Sequence, residues 1–139
     1  MTTKPSDITV GYTIPAFVTT LSSTHLFMYS AVTWNRHHVH YDKEAAISEG
    51  LPDIVVHRGL TGNVLVRMIE AWLGENSEIE RINWKMEASA VPNEPLEARG
   101  EVTECETQKD HIVAVCNVGV SQNGIPICTG NITLRIYTH

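Results

Sequence analysis

The spacing of apolar residues changes at Gly74, and that change restricts the fold more than any other feature of the chain. Upstream, Leu60, Val64, Leu65, Val66, Met68, Ile69, Ala71, Trp72 and Leu73 cover most of a helical circumference. Asn63, Arg67, Glu70 and Gly74 are left as a narrow polar stripe. A helix from about Leu60 to Leu73 that is apolar over so much of its surface is a buried one, wrapped on several sides. Downstream the period is two. Ile82, Trp84, Met86, Ala88 and Ala90 alternate with Arg81, Asn83, Lys85, Glu87 and Ser89. After a turn at Pro92-Asn93-Glu94-Pro95, Leu96, Ala98, Gly100 and Val102 alternate with Glu97, Arg99, Glu101 and Thr103. Such alternation predicts strands.

His111 to Ser121, following a turn at Gln108-Lys109-Asp110, is apolar on both faces and predicts a central strand. Asn123-Gly124 marks a hairpin into a last strand, Ile125 to Thr138. Near the N-terminus, Tyr12 to Thr20 is apolar and β-branched, and Pro15 inside it predicts an edge or short strand. A sheet of this kind must bury one face, and the apolar helix is the element available to cover it. The expected architecture is therefore α+β: an antiparallel sheet wrapped around a central helix, the hot-dog fold.

Between the first strand and the central helix the chain is more varied. Ser22 to Val32 predicts a helix capped by Ser22, Ser23 or Thr24, with Leu26, Phe27, Tyr29, Ser30 and Thr33 on one face. Asn35 to Tyr41 is a polar turn. Asp42 predicts the N-cap of a short helix, Lys43 to Ser48, closed by Gly50. Ile54-Val55-Val56 predicts a short buried strand or extended segment, and His57-Arg58-Gly59 opens the central helix. Trp34, Trp72 and Trp84 are expected in the core or an interface, and Arg67 with Glu70 as an ion pair.

The 139 residues fit one domain spanning 1–139. No apolar run is long enough to span a membrane, and MTTKPSDITV lacks the apolar core of a signal peptide. Cys105, Cys116 and Cys128 are odd in number and form no CxxC pair, which suits reduced thiols in the cytoplasm. A net charge of −6 without a basic stripe argues against a nucleic-acid partner.

Four of the seven histidines, His37, His38, His40 and His57, fall within 21 residues. The run Tyr29-Ser30-Ala31-Val32-Thr33-Trp34-Asn35-Arg36-His37-His38-Val39-His40-Tyr41-Asp42, followed by Gly50 and Val55-Val56-His57, resembles the MaoC-like hydratases. Those are hot-dog enzymes acting on enoyl thioesters. Their motif has an acidic residue, four residues, a histidine, then an aspartate two further on, and later a His-Gly pair opening the central helix. The resemblance places the histidine at His40 and the aspartate at Asp42. It departs at the acid, which is Asn35 here, and at the glycine, which is Arg58 with Gly59 one place later.

The resemblance implies reversible addition of water to a 2-enoyl-CoA or carrier-protein thioester, by a homodimer or a heteromer of hot-dog subunits. His40 has the intrinsic pKa of a general base. Asn35 can orient the water through its amide, and the backbone N–H groups of Arg58 and Gly59 can hold the thioester oxygen as charge builds on it. His37, Asp42 and His57 are supporting candidates. Simpler roles compete: Asn35 ending a helix, Asp42 as a cap, His37 and His38 as solvated loop residues, His57 bonding the backbone before the helix. No cofactor is implied. A zinc site from the four histidines is disfavoured, because no Cys or carboxylate cluster accompanies them and adjacent histidines rarely converge on one ion. Two further readings stand beside the hydratase. One is a hot-dog thioesterase using Glu70; the other is a non-catalytic half of a heteromer.

Overall fold

Five antiparallel strands and one long helix supply most of the core, and the helix is where the sequence puts it. The computed structural model describes residues 3–139. The strands are β1 (Thr13–Thr20), β2 (Ser77–Met86), β3 (Pro95–Thr107), β4 (His111–Gln122) and β5 (Ile125–Tyr137), in the order β1-β3-β4-β5-β2. The helices are α1 (Ser23–Thr33), α2 (Lys43–Ser48) and α3 (Arg58–Leu73). α3 packs against β1, β2, β3 and β4, so the sheet curls around it in the hot-dog arrangement. Its buried residues are Thr61, Gly62, Val64, Leu65, Met68, Ile69 and Leu73. Each fully buried Leu, Ile or Met among them stabilises the fold by roughly 1.5–3 kcal/mol.

β4 is the central strand, with Ile112, Ala114, Cys116, Val118 and Val120 buried. Asn123 and Gly124 take φ values of 52° and 76°, the two positive values that a tight hairpin between β4 and β5 requires. β1 lies on the edge, and its pairing with β3 is irregular between Ile14 and Phe17, around Pro15. Trp84 on β2 faces α3: a Cβ on Gly62 would collide with its indole ring. All three cysteines are free. No helix among the described residues is long and apolar enough to cross a membrane.

Several local expectations fail for identifiable reasons. The alternation through Ala88 and Ala90 does not extend β2, which ends at Met86. β2 and β3 are not neighbours, so residues 87–94 must cross the end of the sheet. There the buried side chain of Gln122 ties them down, donating to the carbonyls of Val91 (2.9 Å) and Glu94 (3.1 Å) and accepting from the Val91 N–H (2.9 Å). Ile54–Val56 is buried, as expected, in a segment outside the sheet. Val55 N–H donates to Val39 O and Val56 N–H to Ala90 O, two unrelated partners that make no ladder. α1 buries only Leu26 and Ser30; Phe27 and Thr33 of the expected face are exposed. Arg67 does not pair with Glu70. Its guanidinium lies 5.0 Å from the Phe17 ring centroid and donates to Thr19 Oγ1, because β1 runs alongside this turn of α3. Of the tryptophans expected in the core or an interface, Trp72 stacks on Tyr12, while Trp34, 73% exposed at the end of α1, lies outside the core.

Candidate active site

The histidine-bearing loop is shaped by three local devices. Trp34 ends α1 in the left-handed region (φ 58°), and the Asn35 N–H donates back to Ser30 O at 3.0 Å. Asn35 Oδ1 then accepts the His37 N–H at 3.2 Å, a side-chain turn typical of asparagine. Beyond it, Val39 is buried in a single 3-10 turn, His38–His40, and anchors the loop. Asp42 caps α2, as its position before that helix predicts, accepting from Ala45 N–H at 3.2 Å. Ser22 does the same for α1.

Val55 fixes His40. Its N–H donates to Val39 O at 3.0 Å, and its carbonyl lies 2.7 Å from His40 Nδ1. A carbonyl only accepts, so Nδ1 carries the hydrogen. In the neutral ring Nε2 is therefore left with its lone pair, as a general base needs. The buried Val55 segment thus sets which nitrogen is basic.

His57 immediately precedes α3 and is 1% exposed. It does not bond the backbone before the helix. Its Nε2 lies 2.7 Å from Ser30 Oγ, because α1 passes directly over the start of α3. Its Nδ1 has no partner among the described residues. The His40 and His57 rings stack, with centroids 3.8 Å apart and planes 18° from parallel. Burial, and secondarily the neighbouring His40, lower the His57 pKa from 6.5 to about 4. The unfolded chain therefore binds this proton first as pH falls. The stabilisation is complete above about 6.5 and is lost progressively toward pH 4, by about 3 kcal/mol at most. Urea unfolding at pH 7 and at intermediate acid pH checks this prediction. His57→Gln should show a shallower decline than the wild type, and an identical decline would contradict it.

The start of α3 completes the cluster. No side chain caps it, so the Arg58 and Gly59 N–H groups are free of intrahelical partners. The Arg58 guanidinium is spent elsewhere: it lies 4.3 Å from the Trp84 ring centroid and donates to Trp84 O at 2.8 Å. Trp84 Nε1 returns a bond to Arg58 O at 3.1 Å. The arginine at the expected glycine position thus clamps the helix start to β2. Gly59 lies against Tyr29, whose hydroxyl would collide with a Cβ there. We predict that Gly59→Ala folds, because Tyr29 can swing aside, yet loses about tenfold or more in activity by crowding this opening. Melting and turnover measured on one preparation would test the pairing.

The structure therefore brings together His40, His57, Tyr29 and the first turn of α3. The remaining candidates make other contacts. Asn35 is half-buried at the start of the same loop, with its amide oxygen already engaged by His37. His37 is exposed, lies 3.4 Å from Glu49 and meets His40 edge-on at 5.9 Å. His38 packs on Tyr41. The four histidines share no common centre, and no cluster of three or more metal-ligating side chains occurs among the described residues. An open groove of about 320 Å³ runs beside the site, lined by Met28, Tyr29, Val32 and Leu60 among others. Ser30 and Tyr29 were not singled out as site residues from the sequence. The available signal was a serine on a helix face expected to be buried, where a hydroxyl needs a partner.

Residues 5–92, more than half of the chain, match the family model of hydroxyacyl-thioester dehydratase type 2. The chain belongs to that family. The chain also shares its fold with solved structures. A MaoC-like dehydratase superposes with a TM-score of 0.85 at 25% identity, over 99% of this chain and 43% of the other. The (R)-hydratase from A. caviae involved in PHA biosynthesis gives 0.84 at 16% identity, over 93% and 97%. The ChsH1-ChsH2 complex from Mycobacterium tuberculosis gives 0.80 at 20% identity, over 92% and 98%. No curated protein sequence matches the chain. Membership identifies a MaoC-like hot-dog protein of the hydratase and dehydratase type, and the cluster at the start of α3 contains groups suited to that chemistry.

Proposed function

We propose that this dehydratase-family protein adds water reversibly across the double bond of a 2-enoyl-CoA thioester. The observation that carries the reading is the fixed tautomer of His40, with Nδ1 held by the Val55 carbonyl and Nε2 basic, next to the uncapped start of α3. His40 Nε2 takes a proton from water as the water oxygen attacks C3. The double-bond electrons move toward the thioester oxygen, where the N–H groups of Arg58 and Gly59 hold the developing charge. The proton then goes to C2, and the reverse sequence removes water from the 3-hydroxyacyl thioester. Asn35 orients the water through its amide. Asn35→Asp should preserve or raise the rate, and Asn35→Ala should cost less than loss of His40, because an amide positions but accepts no proton.

His37, Asp42 and His57 support the site: His37 against Glu49 and the edge of His40, Asp42 as the cap of α2, His57 against the face of His40. A second hot-dog subunit, identical or related, completes the assembly. Exposed Phe27, Met28, Val32 and Trp34 along and just after α1 support that reading. One of the similar structures is itself a complex of two different chains. Asn35 in place of an acid favours, as a second reading, a half-active subunit of such a heteromer. A thioesterase centred on Glu70 fits less well. Glu70 is exposed and lies 12 residues beyond the start of α3, about 18 Å along the helix. Free thiols at all three cysteines suit the cytoplasm.

The test is a panel of 2-enoyl-CoA thioesters of varied length, followed by loss of the conjugated-thioester absorbance. The chain is assayed alone and then with a co-purifying partner. Turnover only with the partner favours the half-active subunit. Release of free thiol without hydration favours the thioesterase and contradicts the proposal.

A further inference from the structure

We propose that His57 is a positioning residue for His40: its buried ring is the surface on which the His40 imidazole lies, and Ser30 locks that surface in place. This rests on the reading of His40 as the general base. The geometry supplies the need. The bond from Nδ1 to Val55 O grips His40 at one edge, in the plane of its ring. A single hydrogen bond, modest in net strength, does not hold the ring: it can tilt off Val55 O, exchange tautomers and displace Nε2. A nearly parallel ring 3.8 Å away removes that freedom by packing on the face. Displacement of a catalytic group by about 1 Å can cost on the order of a hundredfold in rate.

The surface itself is immobile. His57 is buried, and Ser30, buried on α1, holds its Nε2 at 2.7 Å. The other nitrogen, Nδ1, has no partner among the described residues. A histidine placed for hydrogen bonding would engage both edges. Here one edge is anchored and the face carries the contact. The face must also be uncharged, because His40 becomes an imidazolium each time it accepts a proton. The titratable groups against His57 are His40 from the loop and Tyr29, whose ring lies 4.6 Å away on α1. His37 meets His40 on another side, and the Arg58 guanidinium lies on Trp84. Burial keeps His57 neutral well below physiological pH.

The experiment pairs nitrogen NMR of the His40 ring with steady-state kinetics on the wild type, Ser30→Ala, His57→Phe and His57→Leu. The last two have similar bulk and differ in presenting a flat aromatic face. The wild type should show one His40 tautomer, with hydrogen on Nδ1, near neutral pH. His57→Leu should show averaged tautomers and a kcat lowered about tenfold or more with little change in KM. His57→Phe should recover the single tautomer and most of kcat, and Ser30→Ala should fall between. A folded His57→Leu that keeps the single tautomer overturns the proposal, and so does a folded His57→Phe no better than His57→Leu. The NMR arm needs no turnover. Loss of the tautomer in a chain that hydrates no enoyl thioester, alone or with a partner, would therefore refute the hydratase reading while showing that His57 holds the His40 ring.

Discussion

His40→Ala is expected to lower kcat/KM for hydration of a 2-enoyl thioester by roughly 10²–10⁴-fold, the range measured for removal of a positioned general base. The fold should survive. His40 is half-buried in a loop whose anchor is the neighbouring Val39, and its imidazole hydrogen-bonds the carbonyl of Val55. Losing that bond costs on the order of 1 kcal/mol. The variant should therefore unfold as one cooperative transition close to the wild type while turning over almost nothing. Kinetics and denaturation on the same preparation separate the two effects. Near-full activity in a folded His40→Ala protein would remove His40 from the mechanism.

Leu65→Ala is expected to give the largest loss of stability from a single truncation on α3, about 2–5 kcal/mol, because it combines lost burial with a cavity. Leu65 is fully buried and sits mid-helix, where β1, β2, β3 and β4 surround α3. A domain of this size is typically stable by about 5–15 kcal/mol, so the truncation removes a large part of the total. Urea unfolding measures it directly. A loss under about 1 kcal/mol would mean that α3 is not the centre of the core.

The same helix explains how much of the fold was legible in the sequence. α3 is apolar nearly all round because strands meet it on several sides, and the strands alternate because only one sheet face meets α3. Both patterns are consequences of burial, so both appear in the residues. Asn123-Gly124 and Pro15 were legible for a different reason, since each reports a backbone requirement of its own position. What failed depended on distant partners. Ala88 and Ala90 alternate like strand residues, yet Gln122, more than thirty positions away, ties that stretch into a crossing loop. The face of α1 was misread because its packing is limited to Leu26 and Ser30.

The candidate site divides the same way. His40, Asp42 and the start of α3 could be found locally, through a motif, a cap and a change of period. The pairing of His57 with Ser30 could not, since 27 residues separate them and no spacing rule links them. Nor could the role of Arg58, whose departure from the family glycine makes sense only against Trp84 on β2. Asn35 lies between these cases. Its position was legible, and its side chain proves to hold the His37 N–H, which shapes the loop that carries His40.

Hydration of a 2-enoyl-CoA thioester in deuterated water, followed by NMR of the product, tests the central claim most directly. The account predicts a 3-hydroxyacyl thioester with one solvent deuterium at C2, formed by the wild-type chain, with its partner subunit where one is required, and almost none with His40→Ala. Free thiol without deuterium at C2, or equal product from the two proteins, would contradict it.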